Sequence, residues 1–282
     1  MANRIGVVGS GTMGSGIAQV AAQAGYEVAL LDTSMDKSQS GRDKISAALT
    51  RQVEKGKVST QDAHSTIQRI TPSDDYACLA GVPLVIEAVF ENEETKRDVI
   101  GAVSKVVDEQ SIFATNTSSI SITKLASYHP HPNRVVGMHF FNPVPLMPLV
   151  EMIRAEQSSS EAIEYVRHTA EVMGKTVVEV ADVPGFVANR ILMPMINEAI
   201  LCLEGGVADR EAIDETLKLG ANHPMGPLAL ADLIGLDVAL SIMEVLHRDL
   251  GEDKYRPAVM LRRMVAAGKL GRKSGEGFYA YP

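Results

Sequence analysis

Near its start the chain reads Ile5-Gly6-Val7-Val8-Gly9-Ser10-Gly11-Thr12-Met13-Gly14, a short apolar run followed at once by a Gly-x-Gly-x-x-Gly pattern. The run predicts a strand, and apolar residues at three- and four-residue spacings over 13–24 predict a helix directly after it. At such a junction, Gly9 permits a tight turn, Gly11 leaves room for a phosphate against the backbone, and Gly14 lets the helix pack on the strand. The helix N-terminus adds N–H donors, so residues 9–14 are predicted to bind the pyrophosphate of a dinucleotide.

Asp32 follows the second predicted strand, Glu27–Leu31, roughly 20 residues after the glycines, as in dinucleotide-binding folds. A carboxylate here accepts hydrogen bonds from the adenosine ribose hydroxyls and repels a 2′-phosphate. NAD(H) is therefore favoured, although nearby Lys37 or Arg42 leaves NADP(H) open as the less favoured alternative. The competing interpretation is an ordinary strand–helix turn with a capping aspartate.

Short β-branched runs alternate with helical patterns through the first half of the chain. The runs lie at 5–8, 27–31, 84–86, 112–114 and 134–138. This alternation predicts an α/β fold with a Rossmann-like, doubly wound parallel sheet. We assign residues 1–183 to this NAD-binding domain, with a helical arm near 35–68.

After about residue 180 the strand signal disappears, and residues 184–282 are predicted to form an all-helical C-terminal domain. Asp182-Val183-Pro184-Gly185 predicts an N-cap with proline in the first turn of a long helix. A second helix is predicted from Asp209 to about Leu219, closed by Gly220, and a third through 228–250. The third is so apolar that it forms either the surface of a homodimer or the centre of the second core.

Composition excludes several classes of function for this 282-residue chain. A net charge of −8 with dispersed Lys and Arg argues against nucleic acid as a partner, whereas an anionic small molecule needs only a few clustered cations. Cys78 and Cys202 lie far apart, which predicts neither a disulfide framework nor a metal site. With no leader pattern and no uninterrupted apolar span, we expect a soluble, cytoplasmic protein without a membrane partner.

Three further segments carry a family resemblance: Asn116-Thr117-Ser118-Ser119, Gly137-Met138-His139-Phe140-Phe141-Asn142-Pro143, and 182–190, Asp-Val-Pro-Gly-Phe-Val-Ala-Asn-Arg. Together with the glycine loop and the ending Gly271-Arg272-Lys273-Ser274-Gly275-Glu276-Gly277-Phe278-Tyr279, they resemble the short-chain L-3-hydroxyacyl-CoA dehydrogenases, including the bacterial 3-hydroxybutyryl-CoA dehydrogenases. The likeness covers essentially the whole chain. It implies reversible, NAD-dependent oxidation of an (S)-3-hydroxyacyl-CoA to the 3-ketoacyl-CoA, by a homodimer joined through the helical domain.

His139 is the predicted catalytic acid and base. It closes the strand that begins near Arg134, so it is expected at the carboxyl edge of the sheet, where doubly wound folds bind ligands. Imidazole can take the hydroxyl proton during oxidation and return it during reduction. Taken alone, a histidine beside Phe140 and Phe141 is more often a core residue. The resemblance reverses that preference and implies that Glu151 orients the ring.

By the same resemblance, Ser118 and Asn189 would contact the C3 oxygen or the thioester of the substrate. Glu91, Lys96 and Asn116 would lie along the cofactor near its nicotinamide half. Without the resemblance, Ser118 is a candidate helix cap and Asn189 a residue on a helix surface. Glu91, Lys96 and Asn116 would then be polar side chains exposed to solvent.

The helix predicted to begin near Met35 ends in Arg51-Gln52-Val53-Glu54-Lys55-Gly56-Lys57. The family uses the tip of this arm to meet coenzyme A phosphates, so Arg51 and Lys55 are the candidates. The alternative is that Arg51 and Lys55 bind no ligand and only complement the helix dipole, as cations do at the C-terminus of many helices.

The chain departs from the family pattern at two places. The acids that commonly precede the third predicted strand are missing from Leu79-Ala80-Gly81-Val82-Pro83-Leu84, and Phe90 adds bulk beside a segment expected to contact cofactor.

Two rival functions remain open. They are a dehydrogenase of a free hydroxy acid such as L-gulonate and a noncatalytic dinucleotide-binding protein. The cationic arm favours a CoA ester over the first. Binding a cofactor alone requires none of the candidate catalytic residues, so their presence argues against the second; they are His139, Glu151, Ser118 and Asn189.

Overall fold

The computed structural model describes residues 3–281. The chain divides into two compact units, the first ending at Asp182 and the second beginning at Val183. The first unit is built on a mostly parallel sheet and the second is helical, which confirms the predicted fold class.

The sheet of the first unit has eight strands in the order β3-β2-β1-β4-β5-β6-β7-β8. The strands are β1 (Arg4–Val8), β2 (Glu27–Leu31), β3 (Ile70–Ser73), β4 (Leu84–Glu87), β5 (Ile112–Thr115), β6 (Val135–Phe140), β7 (Leu149–Arg154) and β8 (Thr176–Ala181). Neighbours are parallel except β6 and β7, which are antiparallel. The order reverses between β1 and β4, so the carboxyl ends of these two strands flank the crevice where open α/β sheets bind ligands.

The helices described in this unit are α1 (Thr12–Gln23), α2 (Met35–Glu54), α3 (Thr60–Gln68), α4 (Glu93–Val103), α5 (Ile122–Ala126) and α6 (Ser160–Val172). Side-chain oxygens cap most of their N-termini, for example Ser34 on α2 and Asn92 on α4. Apolar side chains from α1 and α6 pack with those of the strands into one continuous core. The central strands are buried along their length because helices cover the sheet, which is typical of parallel sheets.

Three strands, β3, β7 and β8, lie outside the predicted runs. β3 is short, contains Pro72 and lies at one edge of the sheet, where a missing backbone N–H is tolerated. β8 forms the other edge and is mostly exposed, so it has no continuous apolar run. The sequence signal is therefore weak at the two edge strands, β3 and β8, whereas the missed strand β7 is buried over most of its length.

The second unit contains α7 (Ala188–Glu204), α8 (Arg210–Gly220), α9 (Pro227–Ile234), α10 (Leu236–Leu250) and α11 (Val259–Ala266). Their apolar faces form a separate core. The predicted single helix over 228–250 is wrong, because Gly235 at φ +103° separates α9 from α10. Gly220, predicted to close a helix, is instead the last helical residue of α8.

The predicted helix start at Asp182 is also wrong. The turn 183–187 intervenes, and α7 begins at Ala188. The Asp182 carboxylate instead accepts hydrogen bonds from the backbone N–H groups of Ile122 and Thr123, at 3.0 and 2.7 Å. Asp182 therefore caps α5, a helix 60 residues earlier in sequence.

Neither cysteine is in a disulfide, and within residues 3–281 no helix is long and apolar enough to cross a membrane. No group of three or more His, Cys, Asp or Glu side chains that could hold a metal ion occurs in the same residues.

The buried His129 should make the free energy of unfolding decrease at acidic pH. Its ring is 5 % exposed, Nδ1 accepts a hydrogen bond from the His131 N–H at 3.0 Å, and no described residue pairs with Nε2. Burial lowers the pKa of His129 in the folded protein, so the unfolded chain binds more protons below about pH 6.5. Stability should therefore be full above that pH and fall on acidification, by at most about 1.4 kcal/mol per pH unit from this group.

We expect His129→Asn, which retains an acceptor for the His131 N–H, to flatten the fall in unfolding free energy between pH 6.5 and 5. Urea unfolding at a series of pH values measures this, with the exposed His168→Asn as the matched control. Equal slopes in wild type and His129→Asn would contradict the prediction.

Candidate active site

The β1–α1 junction forms a turn that only glycine can close. Gly9 has φ +98°, and a Cβ there would lie 2.6 Å from the Ala88 carbonyl oxygen. A Cβ on Gly14 would lie 1.7 Å from the Gly9 carbonyl oxygen, so Gly14 is required by the turn itself. A Cβ on Gly11, in contrast, would meet no described atom within 4 Å. This open side faces the uncapped N-terminus of α1, beginning at Thr12 and Met13, and fits a pyrophosphate.

Asp32 lies at the carboxyl end of β2, directly beside this turn. Its Oδ2 accepts hydrogen bonds from the backbone N–H and the hydroxyl of Ser10, at 2.8 and 2.7 Å. Its Oδ1 accepts one from the Thr33 N–H at 2.7 Å. Desolvation raises the pKa of Asp32, but the bonds from Ser10 and Thr33 outweigh it and hold the pKa below its ordinary value. The carboxylate is thus ionised and fixed beside the glycine loop.

The two cations near Asp32 have different environments. Arg42 donates to the carbonyl oxygens of Ile67 and Ile70, at 3.2 and 3.0 Å, and is thereby held against β3. Lys37 is exposed, and its Nζ donates to the Thr33 hydroxyl at 2.8 Å. Lys37 is therefore the cation of this pair that remains beside the carboxylate.

His139 and Glu151 meet across the antiparallel β6–β7 pair. They are direct partners in the strand register, which puts both side chains on one face of the sheet. His139 Nδ1 lies 2.9 Å from Glu151 Oε2, and the two residues are only 6 % and 2 % exposed. An ionised carboxylate only accepts hydrogen bonds, so this contact favours the tautomer of His139 with the proton on Nδ1. The Phe141 ring packs beside the imidazole at 4.6 Å between centroids.

Asn116 links the end of β5 to the strand that carries His139. Its backbone N–H donates to the Glu87 carbonyl oxygen, and its side-chain Oδ1 accepts from the Phe140 N–H at 2.8 Å. The side chain therefore braces the backbone immediately after His139.

Glu91 organises the loop that contains Ser118. Its Oε1 accepts hydrogen bonds from the Thr117 hydroxyl at 2.6 Å and from the backbone N–H groups of Ser118 and Ser119 at 2.8 and 3.1 Å. Desolvation raises the pKa of Glu91, but the charge of Lys96 and these hydrogen bonds hold it below its ordinary value. Glu91 is thus an anion to which the serine loop is tied.

Lys96 is almost fully buried, at 1 % exposure, so its interpretation as a polar side chain exposed to solvent is wrong. Its Nζ lies 2.8 Å from Glu87 Oε1 and 3.3 Å from Glu91 Oε2. The ammonium therefore joins the end of β4 to the residue that holds the serine loop.

Arg51 and Lys55 lie together at the C-terminal end of α2. Both are exposed, and in residues 3–281 neither forms an ion pair or a side-chain hydrogen bond. Their charges complement the helix dipole and remain accessible to an anionic ligand.

Asn189 lies in the first turn of α7, in the second unit, and is 7 % exposed. This burial is not that of a helix-surface residue. Its contact with the substrate stays a prediction.

Apart from Arg51 and Lys55, most predicted residues of the first unit lie at or just after the carboxyl ends of strands; Glu151 lies near the amino end of the antiparallel β7, and Lys96 lies in α4. Sequence reasoning missed Ser10, which holds Asp32, and Glu87, which holds Lys96. An acid that ends an otherwise apolar strand, as in Leu84-Val85-Ile86-Glu87, was the available signal for Glu87. The Ser10 contact had no signal beyond its place inside the glycine pattern.

Family models place the chain among known proteins. Residues 4–183 match the 3-hydroxyacyl-CoA dehydrogenase NAD-binding domain, and residues 185–281 match the C-terminal domain of the same dehydrogenases.

Individual relatives agree over the full length. The chain is 53 % identical to a probable 3-hydroxybutyryl-CoA dehydrogenase of Deinococcus radiodurans, covering 99 % of this chain and 100 % of the relative. It is 49 % identical to a 3-hydroxybutyryl-CoA dehydrogenase of Bradyrhizobium diazoefficiens, covering 99 % and 95 %. Among solved structures, (S)-3-hydroxybutyryl-CoA dehydrogenase from Ralstonia eutropha superposes with a TM-score of 0.97 at 48 % identity and covers 100 % of both chains.

Proposed function

Since the chain belongs to the 3-hydroxyacyl-CoA dehydrogenase family, we propose that it interconverts (S)-3-hydroxybutyryl-CoA and acetoacetyl-CoA with NAD(H). It is an oxidoreductase that acts on a secondary alcohol and uses a nicotinamide dinucleotide. The observation that best supports the chemistry is the buried His139–Glu151 pair at the carboxyl edge of the dinucleotide-binding sheet.

His139 exchanges the proton of the reaction. With Nδ1–H donated to Glu151, Nε2 is the basic atom that takes the hydroxyl proton during oxidation. The resulting imidazolium is stabilised by the adjacent carboxylate and serves as the acid during reduction. When bound, the nicotinamide ring supplies or accepts the hydride at C3 of the substrate, the carbon that bears the hydroxyl.

Ser118 would direct the substrate through its hydroxyl at the C3 oxygen or the thioester. Glu91 accepts hydrogen bonds from both the backbone N–H and the hydroxyl of Ser118, at 2.8 and 3.2 Å, and Asn116 braces the strand next to His139. These contacts fix a donor and the acid–base group on neighbouring strand ends, which is the preorganisation that polarises a ketone undergoing reduction. We assign Glu91, Lys96 and Asn116 to the nicotinamide end of the cofactor on the same grounds.

For the cofactor we propose NAD(H) over NADP(H), because Asp32 is ionised and fixed where a 2′-phosphate would approach. Coenzyme A phosphates would be met by Arg51 and Lys55, whose charges are accessible. An ammonium and a guanidinium are both adequate phosphate partners.

Replacing Asp32 with alanine should raise the KM for NADH about 10-fold or more, since charge-assisted hydrogen bonds contribute about 1.5–3 kcal/mol. It should also raise kcat/KM for NADPH relative to NADH, because the 2′-phosphate would no longer meet a carboxylate and the Lys37 ammonium lies nearby on the Thr33 hydroxyl. Steady-state kinetics with both cofactors test this, with the exposed Asp36→Ala as control. Unchanged cofactor kinetics would remove Asp32 from the site.

The proposed function is tested by following NADH absorbance while the protein is mixed with acetoacetyl-CoA, and with free acetoacetate in parallel. Oxidation with the thioester alone is expected. Efficient oxidation with the free acid alone would favour a hydroxy-acid dehydrogenase. Binding of NADH without turnover of either would favour the noncatalytic alternative.

We further propose a homodimer that forms through the helical unit and works in the cytoplasm. Several large apolar side chains of this unit are exposed, including Ile191, Val207 and Leu219 at 66, 76 and 81 %. Such residues mark association surfaces where they form one patch. Light scattering of the purified protein measures the mass of the assembly directly.

A further inference from the structure

We propose that Glu87 is a positioning residue of this active site, which fixes Ser118 through Lys96 and Glu91. The inference rests on the proposed function, because the position of Ser118 affects turnover only if Ser118 contacts the substrate.

Glu87 is the fixed end of this arrangement. It is the last residue of β4 and is fully buried, in register with Val8 on one neighbouring strand and Thr115 on the other. Its carboxylate accepts hydrogen bonds from the Val89 N–H at 2.7 Å, the Thr115 hydroxyl at 2.6 Å, and Lys96 Nζ at 2.8 and 3.0 Å. A carboxylate with four such contacts inside the sheet has little freedom to move.

Lys96 transmits this position to the loop after β4. It extends from α4, and its Nζ reaches Glu91 Oε2 at 3.3 Å while remaining bonded to Glu87. The other oxygen of Glu91 holds the Thr117, Ser118 and Ser119 donors. A rigid strand is thus connected to the Ser118 loop by two ionic contacts in series.

The charges explain why the position of Glu91 depends on Lys96, and that of Lys96 on Glu87. The side chains of Glu87 and Lys96 are almost fully buried, at 0 and 1 % exposure, whereas that of Glu91 is 36 % exposed. An unpaired ammonium at the buried position of Lys96 is strongly unfavourable. Without the charge of Glu87, the ammonium would move fully onto Glu91 and draw that carboxylate away from the serine loop. The hydrogen bonds to Ser118 would then lengthen or break.

The test is a double-mutant cycle between Glu87→Gln and Glu91→Gln. Glu87→Gln keeps the shape of the side chain, and we expect kcat with acetoacetyl-CoA to fall about 10-fold, because small misplacements of catalytic groups are costly. The KM for the thioester should change less than about threefold, since the loss is in the transition state. In the Glu91→Gln background, Glu87→Gln should lower kcat by no more than about twofold, because both act through one contact.

Multiplicative losses in the double variant, or an unchanged kcat in Glu87→Gln, would overturn the inference. All rates are measured well below each variant's melting temperature, so that loss of folded protein does not contribute. If Glu87→Gln fails to fold, Thr115→Val replaces it; this variant removes the 2.6 Å hydrogen bond to Glu87 and also the longer, 3.4 Å bond that the same hydroxyl accepts from the Thr117 N–H. A kcat loss of about threefold is then expected, absent in the Glu91→Gln background.

The control variant is Glu179→Gln, an acid on β8 that pairs with Arg154 and Arg167 outside the site. It should leave kcat within about twofold. Hydrogen exchange over residues 117–119 gives a readout without turnover: it should accelerate in Glu87→Gln and not in Glu179→Gln. If the wild type does not oxidise NADH with the thioester, the proposed function fails, and unchanged exchange in Glu87→Gln would independently refute the positioning role.

Discussion

Replacing His139 with alanine should lower kcat with acetoacetyl-CoA by about 100-fold or more, the scale of general acid–base catalysis. The affinity for NADH should change little, because the imidazole is bonded to Glu151, whereas the residues proposed to hold the dinucleotide are the glycine loop and Asp32. Stopped-flow mixing gives the rate, and nicotinamide fluorescence gives the binding constant.

The matched control for this experiment is His168→Ala, an exposed histidine on α6. It should retain full turnover. An equal loss of NADH affinity and of turnover in His139→Ala would show that His139 is a core residue and not the acid–base group.

Replacing Glu151 with glutamine should lower kcat about 100-fold as well, for a separate reason. The amide of glutamine can donate to Nδ1 and so favour the tautomer in which Nε2 is already protonated. It also removes the negative charge that stabilises the imidazolium. Both effects act on the proton transfer, so the KM for NADH should remain close to that of the wild type.

A Glu151→Asp variant separates charge from position, because it keeps the carboxylate but shortens its reach. Partial recovery of kcat relative to Glu151→Gln is expected. Activity in Glu151→Gln equal to that of the wild type would remove Glu151 from the mechanism.

Local features of the sequence were sufficient for the glycine turn between β1 and α1. Gly9, Gly11 and Gly14 act within one turn of the backbone, and their spacing alone predicts where a Cβ is forbidden and where space is left. The alternating strands predict the sheet for a similar reason, since buried parallel strands are continuous apolar runs. The family resemblance added the identity of the chemistry.

The helix bounds were predicted wrongly where tertiary structure overrode the local sequence pattern. Asp182 has the residue type of an N-cap and does cap a helix, but that helix is α5 and not the one that follows in sequence. Gly235 interrupts what reads as a single apolar helix because its backbone adopts φ +103° there. Local propensity predicts the kind of contact such residues make, but not its partner.

The sequence by itself determined the α/β fold, the glycine turn, the acid after β2 and the presence of a histidine at the edge of the sheet. Only the tertiary structure decided that His139 faces Glu151, that Asn116 braces the next strand, and that Lys96 is buried between Glu87 and Glu91. The reason is physical: strand register and helix packing select these pairs over large separations in sequence, and no spacing along the chain encodes a register.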